Sequence, residues 1–258
     1  MATVVRGAAL LVAVGLSIVA AACGGRVFGK VYEYEEDLYV SLDGSAELIV
    51  NASIPALVSL RGVDLPLDPA GRLERDRIRA VYASPVTEVT RVSRPWRRQG
   101  RRFVQVRLRV FDIRRLQEAP PFSWSTYELA ERDGLAVYRQ QVGASALRPG
   151  TLQNFGWTGG ELVAFRLHLP SRIVYHNARD LETNETSDIS RGNILSWEQH
   201  LTDRLDGRPI AIEVRMDRQS ILYRTLWLFA GAFAAAVCLI GGLIWWAMRK
   251  GARDGEPA

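Results

Sequence analysis

From Leu226 to Met248 the chain runs for 23 residues without a charge. As a helix rising 1.5 Å per residue such a run covers about 35 Å, enough to cross a hydrocarbon core of ~30 Å. It predicts a membrane-spanning helix over 223–248, and the rest of the chain must be arranged around it. Tyr223 and Trp227 flank one end and Trp245 and Trp246 the other, where aromatic side chains collect at the two membrane–water interfaces. Arg249, Lys250 and Arg253 follow at once, so the positive-inside rule assigns the tail, 249–258, to the cytoplasm and the preceding body to the other side.

The N-terminus agrees with that topology. A single cation, Arg6, precedes an apolar run from Ala8 to Val19 and three alanines before Cys23, the pattern of a secretory signal peptide over 1–22. A cysteine after small residues also resembles the bacterial lipobox, with Ala20 where leucine is usual. That reading predicts cleavage before Cys23, acylation of its thiol, and a short tether over 23–26 containing Gly24 and Gly25. Ordinary cleavage at an A-x-A site, or an uncleaved anchor, is the alternative. The second cysteine, Cys238, falls inside the predicted span. The body between, 27–222, therefore has no cysteine and no disulfide despite its oxidising address, and at this length it can rest on a packed core.

Charge separates few functions here. Lys and Arg number 33 against 28 Asp and Glu, a net +5, and all but Lys30 and Lys250 of the cations are arginine. So lopsided a choice is the mark of a GC-rich coding sequence. No feature of the body points to nucleic acid.

Alternation dominates the body. KVYEYEEDLYVSLDGSAELIVNASI predicts two strands joined through Asp43-Gly44, a favoured hairpin pair. Leu73, Ile78, Val81 and Tyr82 recur at helical spacing and predict a short amphipathic helix. A second hairpin follows, whose return strand places Val104, Val106, Leu108 and Val110 on one face and Gln105, Arg107 and Arg109 on the other. A third turns at Asp133-Gly134, and ELVAFRLHLP, SRIVYHN, NILSWEQHL and PIAIEVRM read as further strands. The expected fold class is α+β and β-rich: one extracytoplasmic domain of seven to ten mostly antiparallel strands with one to three short helices, plus the C-terminal transmembrane helix. So few helical periods argue against a doubly wound parallel sheet.

This layout resembles the LppM-like bacterial envelope proteins. The likeness lies in the lipobox-like Cys23, the β-rich body and the single C-terminal span with its basic tail. Locally it lies in YVSLDGSAELIV and in FRLHLPSRIVYHN followed by GNILSWEQHL. In those proteins a strand ending Leu-Pro-Gly leads to an asparagine, and a later strand carries a tryptophan. Here Leu169-Pro170 is followed by Ser171 in place of glycine, while Asn177 and Trp197 match. The resemblance implies a surface-anchored, non-enzymatic domain associated with envelope lipids.

Motifs for chemistry are scarce. His168, His176 and His200 fit no metal-ligand spacing, and nucleophile elbows, phosphate loops and dinucleotide fingerprints are missing. No catalytic residue, metal or cofactor is therefore assigned. The acidic loop with Asp180, Glu182, Glu185 and Asp188 lacks the EF-hand pattern and reads as a solvated loop. The loudest local feature is basic: residues 91–115 hold ten arginines and one acid, Asp112. Trp96, Arg97, Arg98, Arg101 and Arg102 crowd the tip of the second hairpin. They read either as a charged edge that resists aggregation or as a membrane-surface contact for anionic head groups. In the span, Ala230, Ala234, Cys238 and Gly242 recur every four residues and form a ridge of small side chains suited to a helix partner or self-association. Two functions follow from different classes: a membrane-anchored, non-enzymatic binding or scaffolding domain that contacts anionic lipid, or an envelope hydrolase or sensor whose site is assembled from distant residues.

Overall fold

The computed structural model describes residues 30–68, 71–146, 155–190 and 192–254. The leader over 1–22, Cys23 and the tether to residue 26 lie outside them. The described residues form eleven strands: β1 (Val31–Val40), β2 (Ala46–Ser53), β3 (Thr87–Val92), β4 (Trp96–Arg98), β5 (Arg101–Val110), β6 (Ser125–Arg132), β7 (Leu135–Val142), β8 (Glu161–His168), β9 (Ser171–His176), β10 (Ile194–His200) and β11 (Ile210–Ser220). Three short α-helices join them, α1 (Ile54–Arg61), α2 (Arg75–Tyr82) and α3 (Leu201–Leu205), with two 3₁₀ turns, Ile113–Glu118 and Pro120–Phe122, and the described residues end in the long helix α4 (Ile221–Asp254).

The strands make two sheets. One has the order β10-β8-β1-β2-β5-β3, with β4 also on β5, and the other has the order β6-β7-β11-β9. Most neighbours are antiparallel. β1 and β8 climb side by side: Arg166 reaches Glu35 and His168 reaches Asp37. Alternation assigns the faces. Val104, Val106, Leu108 and Val110 of β5 are buried, as are Leu48 and Val50 of β2, Tyr138 and Val142 of β7, and Val214 and Met216 of β11. They belong to one apolar core. The strand count exceeds the expected range by one because Pro95, which has no N–H to give a ladder, divides the outer arm of the second hairpin into β3 and β4. The expected helix is α2, with Ile78 and Tyr82 buried.

Helix α1 was not anticipated from the apolar pattern, yet its punctuation is written in the chain. Ser53 caps it by accepting from the Ala56 N–H at 3.1 Å, Pro55 sits in its first turn, and Gly62 ends it at φ 65°. Both remaining hairpins close where the sequence places turn residues: Asp133 (φ 52°) and Gly134 (φ 76°) join β6 to β7, and Gln99 (φ 50°) and Gly100 (φ 74°) join β4 to β5.

Register gives the body two ends. β11 runs directly into α4, and the Ile221 N–H donates to the Pro170 carbonyl at 2.9 Å, so the β8–β9 corner lies at this exit end. The β1–β2 turn and the β6–β7 turn lie there too, because Ala46 pairs with Val110 and Leu135 with Asp217. The starts of β1, β5, β6 and β8 lie at the opposite, far end, where α1 and α3 also sit. Of α4, Ile221–Trp246 is long and apolar enough to cross a membrane. Tyr223 and Trp227 pack edge to face near its start, and the Arg249 guanidinium lies over the Trp245 ring near the other end of that stretch.

Candidate functional site

The ten arginines of 91–115 do not form one patch. β5 spans the body from end to end, and its alternation distributes them. At the far-end hairpin tip Arg97 and Arg98 are exposed beside Trp96, whose ring stacks on Phe103 at 5.9 Å. Arg101 and Arg102 begin β5 and turn inward. Arg101 donates from Nε to Glu33 at 2.9 Å and from Nη1 to the Gly156 carbonyl at 2.9 Å, and lies 3.7 Å from Glu161. The Trp157 indole also donates to Glu33, at 3.2 Å. Arg102 donates to the carbonyls of Pro66, at 2.6 Å, and Gly71. Both guanidinium groups thus serve the fold, tying β5 to β1 and to two loops. Of the five hairpin-tip residues singled out from the sequence, Trp96, Arg97 and Arg98 face solvent and Arg101 and Arg102 do not. Arg107 and Arg109 stand on the outer face of the larger sheet beside Glu47 and Glu88, and Arg114 and Arg115 fall beyond β5 at the exit end.

The far end carries a second buried polar group that sequence reasoning missed. Arg61, the last residue of α1, pairs with Glu36, donates from Nε to the Tyr34 hydroxyl at 2.9 Å, and lies 3.4 Å above the centre of the Trp124 ring. Arg204 of α3 approaches the same ring at 5.4 Å and donates to the Gly143 carbonyl. Burial, and then the neighbouring Arg61 charge, push the Arg204 guanidinium down to about 10. Gly143 permits this meeting, because a Cβ there would stand 2.4 Å from the Trp124 carbonyl oxygen. An inward Glu36 on an otherwise apolar strand face was the available signal, since a buried carboxylate needs a cation.

At the exit end a cleft of about 300 Å³ opens between the sheets. Arg114 and Arg218 stand on it with Leu42, Leu129, Ala130 and Ala136. Its charges are matched on the surface: Arg114 bonds Asp112 at 2.7 Å, and Arg218 lies 2.8 Å from Glu131. Another opening, of about 390 Å³, lies on the outer face of the smaller sheet.

The histidines lie apart. His168 stacks on Tyr39 at 3.8 Å, and burial pushes its imidazole below the ordinary value although Asp37 pulls the other way. His176 ends β9 and His200 ends β10. Asn177 and Trp197, the residues behind the sequence resemblance, do meet: the Trp197 indole donates to the Asn177 side-chain oxygen at 3.0 Å, and the Glu213 N–H donates to the same atom at 2.9 Å. That bond ties one sheet to the other. On α4, Ala230, Ala234, Cys238 and Gly242 are exposed.

No protein-family model matches the chain, and no curated protein matches it. Among solved structures it is similar to the folded domain of the Mycobacterium tuberculosis LppM protein, determined by NMR, at 10% identity and a TM-score of 0.38, over 77% of this chain and 99% of that one. The likeness is a distant one of fold.

Proposed function

We propose that this is a single-pass, lipid-tethered envelope protein whose extracytoplasmic body is a non-enzymatic binding or scaffolding domain that contacts an anionic lipid surface through Trp96, Arg97 and Arg98. The observation that carries the reading is the placement of two attachments at opposite ends of the body: α4 leaves one end, and β1 begins at the other. β1 is ten residues long, about 33 Å. The link from Cys23 to Val31 reaches about 29 Å only when fully extended, close to the whole rise of β1. With Cys23 acylated and α4 inserted in one bilayer, an upright body would need that link stretched taut. A relaxed link tilts the body and brings the basic tip at the far end toward the head groups. There each cation contributes on the order of 1 kcal/mol, and Trp96 favours the interface.

The test uses full-length protein carrying Cys238→Ala in vesicles containing phosphatidylglycerol, with quenching of a fluorophore on a cysteine introduced at Gln99 by bromine-labelled lipid as the readout. Quenching that weakens as salt rises, or when Arg97 and Arg98 become glutamine, is expected. It is also expected to weaken when Cys23→Ser removes the second anchor. A label that no quencher reaches in any of these forms sinks the reading. Mass spectrometry of the mature N-terminus tests the acylation by itself. The ridge Ala230, Ala234, Cys238 and Gly242 is proposed as the face on which α4 meets a second transmembrane helix. Ala234→Leu with Gly242→Leu should abolish crosslinking through Cys238, and crosslinking unchanged by that bulk would make α4 an anchor only.

A further inference from the structure

The smaller sheet turns its inner face to the core, and its outer face bears an opening of about 390 Å³, within the ~300–1,000 Å³ usual for small-ligand sites. Cross-strand register builds this face in two rows. Thr126 of β6 lies opposite Gln141 of β7, which lies opposite Ala211 of β11, with Asn177 beyond. One pleat along, Glu128 lies opposite Arg139, and Arg139 opposite Glu213. The methyl of Ala211 sinks the first row between Gln141 and Asn177, and the opening forms there. Intervening residues Tyr127, Gln140 and Ile212 send their side chains into the core.

The second row is held rigid by its own charges. Arg139 bridges Glu128 at 3.7 Å and Glu213 at 3.3 Å, and Arg215 fixes the other oxygen of Glu213 at 2.8 Å. Those bonds hold the Glu213 carboxyl below its ordinary range, Arg215 first and Arg139 next. Asn177 is fixed as well, since its amide donates to the Ala211 carbonyl at 2.9 Å while its oxygen accepts from Trp197 and Glu213. The result is a shallow floor of donors and acceptors: the Thr126 hydroxyl, the Gln141 and Asn177 amides, two carboxylates and a guanidinium. Exposed Tyr175 stands two residues before Asn177, under the Arg215 guanidinium at 5.1 Å.

The charge balance narrows the ligand. Glu128 and Glu213 are bonded by Arg132, Arg139 and Arg215, so each guanidinium already has a carboxylate and neither a phosphate nor a cation is drawn there. The polar lining gives no home to an acyl chain. A ligand that is neutral, rich in hydroxyls and flat enough for an open sheet face fits: each vicinal diol can bridge paired donors and acceptors. We propose that this face is a binding site for neutral carbohydrate, with Thr126, Gln141 and Glu213 as its principal hydrogen-bonding groups. The inference is independent of the basic tip.

Full-length protein in nanodiscs of neutral lipid is titrated calorimetrically with maltotetraose, cellotetraose and chitotetraose, and with inorganic phosphate. Binding of at least one tetrasaccharide, little changed by salt, is expected. Gln141→Arg should weaken it at least ~10-fold, about 1.4 kcal/mol, and Thr126→Arg on the neighbouring strand should do the same. Both positions are exposed, so unchanged thermal melting can show that each variant is folded. Changing Arg97 and Arg98 to glutamine should leave the sugar affinity as it was. No binding by any tetrasaccharide, binding that survives both arginine substitutions, or a preference for phosphate overturns the proposal.

Discussion

At the far end of the body Arg61, Arg101 and Arg204 are less than a tenth exposed, and each is held by side chains or carbonyls from other elements. At the exit end the side chains of Arg114, Arg172 and Arg218 are half exposed or more, and each sits beside one nearby carboxylate. One residue type thus performs two jobs. Where α1 and α3 close over the sheets, water is excluded and a guanidinium must be fully engaged or it destabilises the fold. Where the sheets open toward α4, water remains and the same pairing contributes little. The far end is thus tied by buried charges, and the exit end carries exposed ones.

The comparison breaks most sharply at Arg61. Removing its charge with Arg61→Met leaves the buried Glu36 without its cation, held among the described residues only by the Tyr34 hydroxyl, and should lower the unfolding free energy by about 3–5 kcal/mol in urea denaturation. Adding Glu36→Leu should restore most of that loss, and a double variant as unstable as the single would mean that the cost lies in packing on Trp124. Next comes Arg101→Gln, which takes the cation from Glu33, leaving it the Trp157 indole, and weakens the tie to Glu161. A loss of about 2–3 kcal/mol is expected, as for a charged hydrogen-bonded group near a buried site.

A smaller effect appears on acidification. Burial works against the ionised Glu161 carboxyl, but the Thr158 and Gly159 N–H groups, with help from Arg101, hold it below the ordinary range. A depressed value contributes stability that is present above the unfolded carboxylate value, near ~4.3, and that is lost as pH falls through the folded one. Acid denaturation curves of wild type and Glu161→Gln should therefore converge as pH drops below about 4. Parallel curves would remove Glu161 from the account. Smallest of all is Arg218→Gln at the exit end, expected to change stability by less than about 0.5 kcal/mol. A larger loss there would erase the distinction between the ends.

The 23 uncharged residues from Leu226 determine a helix long and apolar enough to cross a membrane whatever precedes them, because the length needed to cross hydrocarbon is a property of the helix itself. Strands were equally legible: the alternation in β2, β5 and β7 and the Asp-Gly pairs at residues 43 and 133 act over neighbours in sequence, and so leave their mark there. The helical spacing of Ile78 and Tyr82 likewise marked α2. Arg101 and Arg102 show where that legibility stops. Beside Arg97 and Arg98 they read as one exposed basic tip, and only the position of Glu33 on β1 and of the Pro66 and Gly71 carbonyls in a distant loop turns them inward. Arg61 with Glu36, and Gln141 with Ala211 and Asn177, are likewise juxtapositions across strands and helices far apart in the chain. Periodicity fixes which face of a strand a residue takes. Which partner meets it on that face is decided by sheet order and register, and those are settled only when the whole core packs.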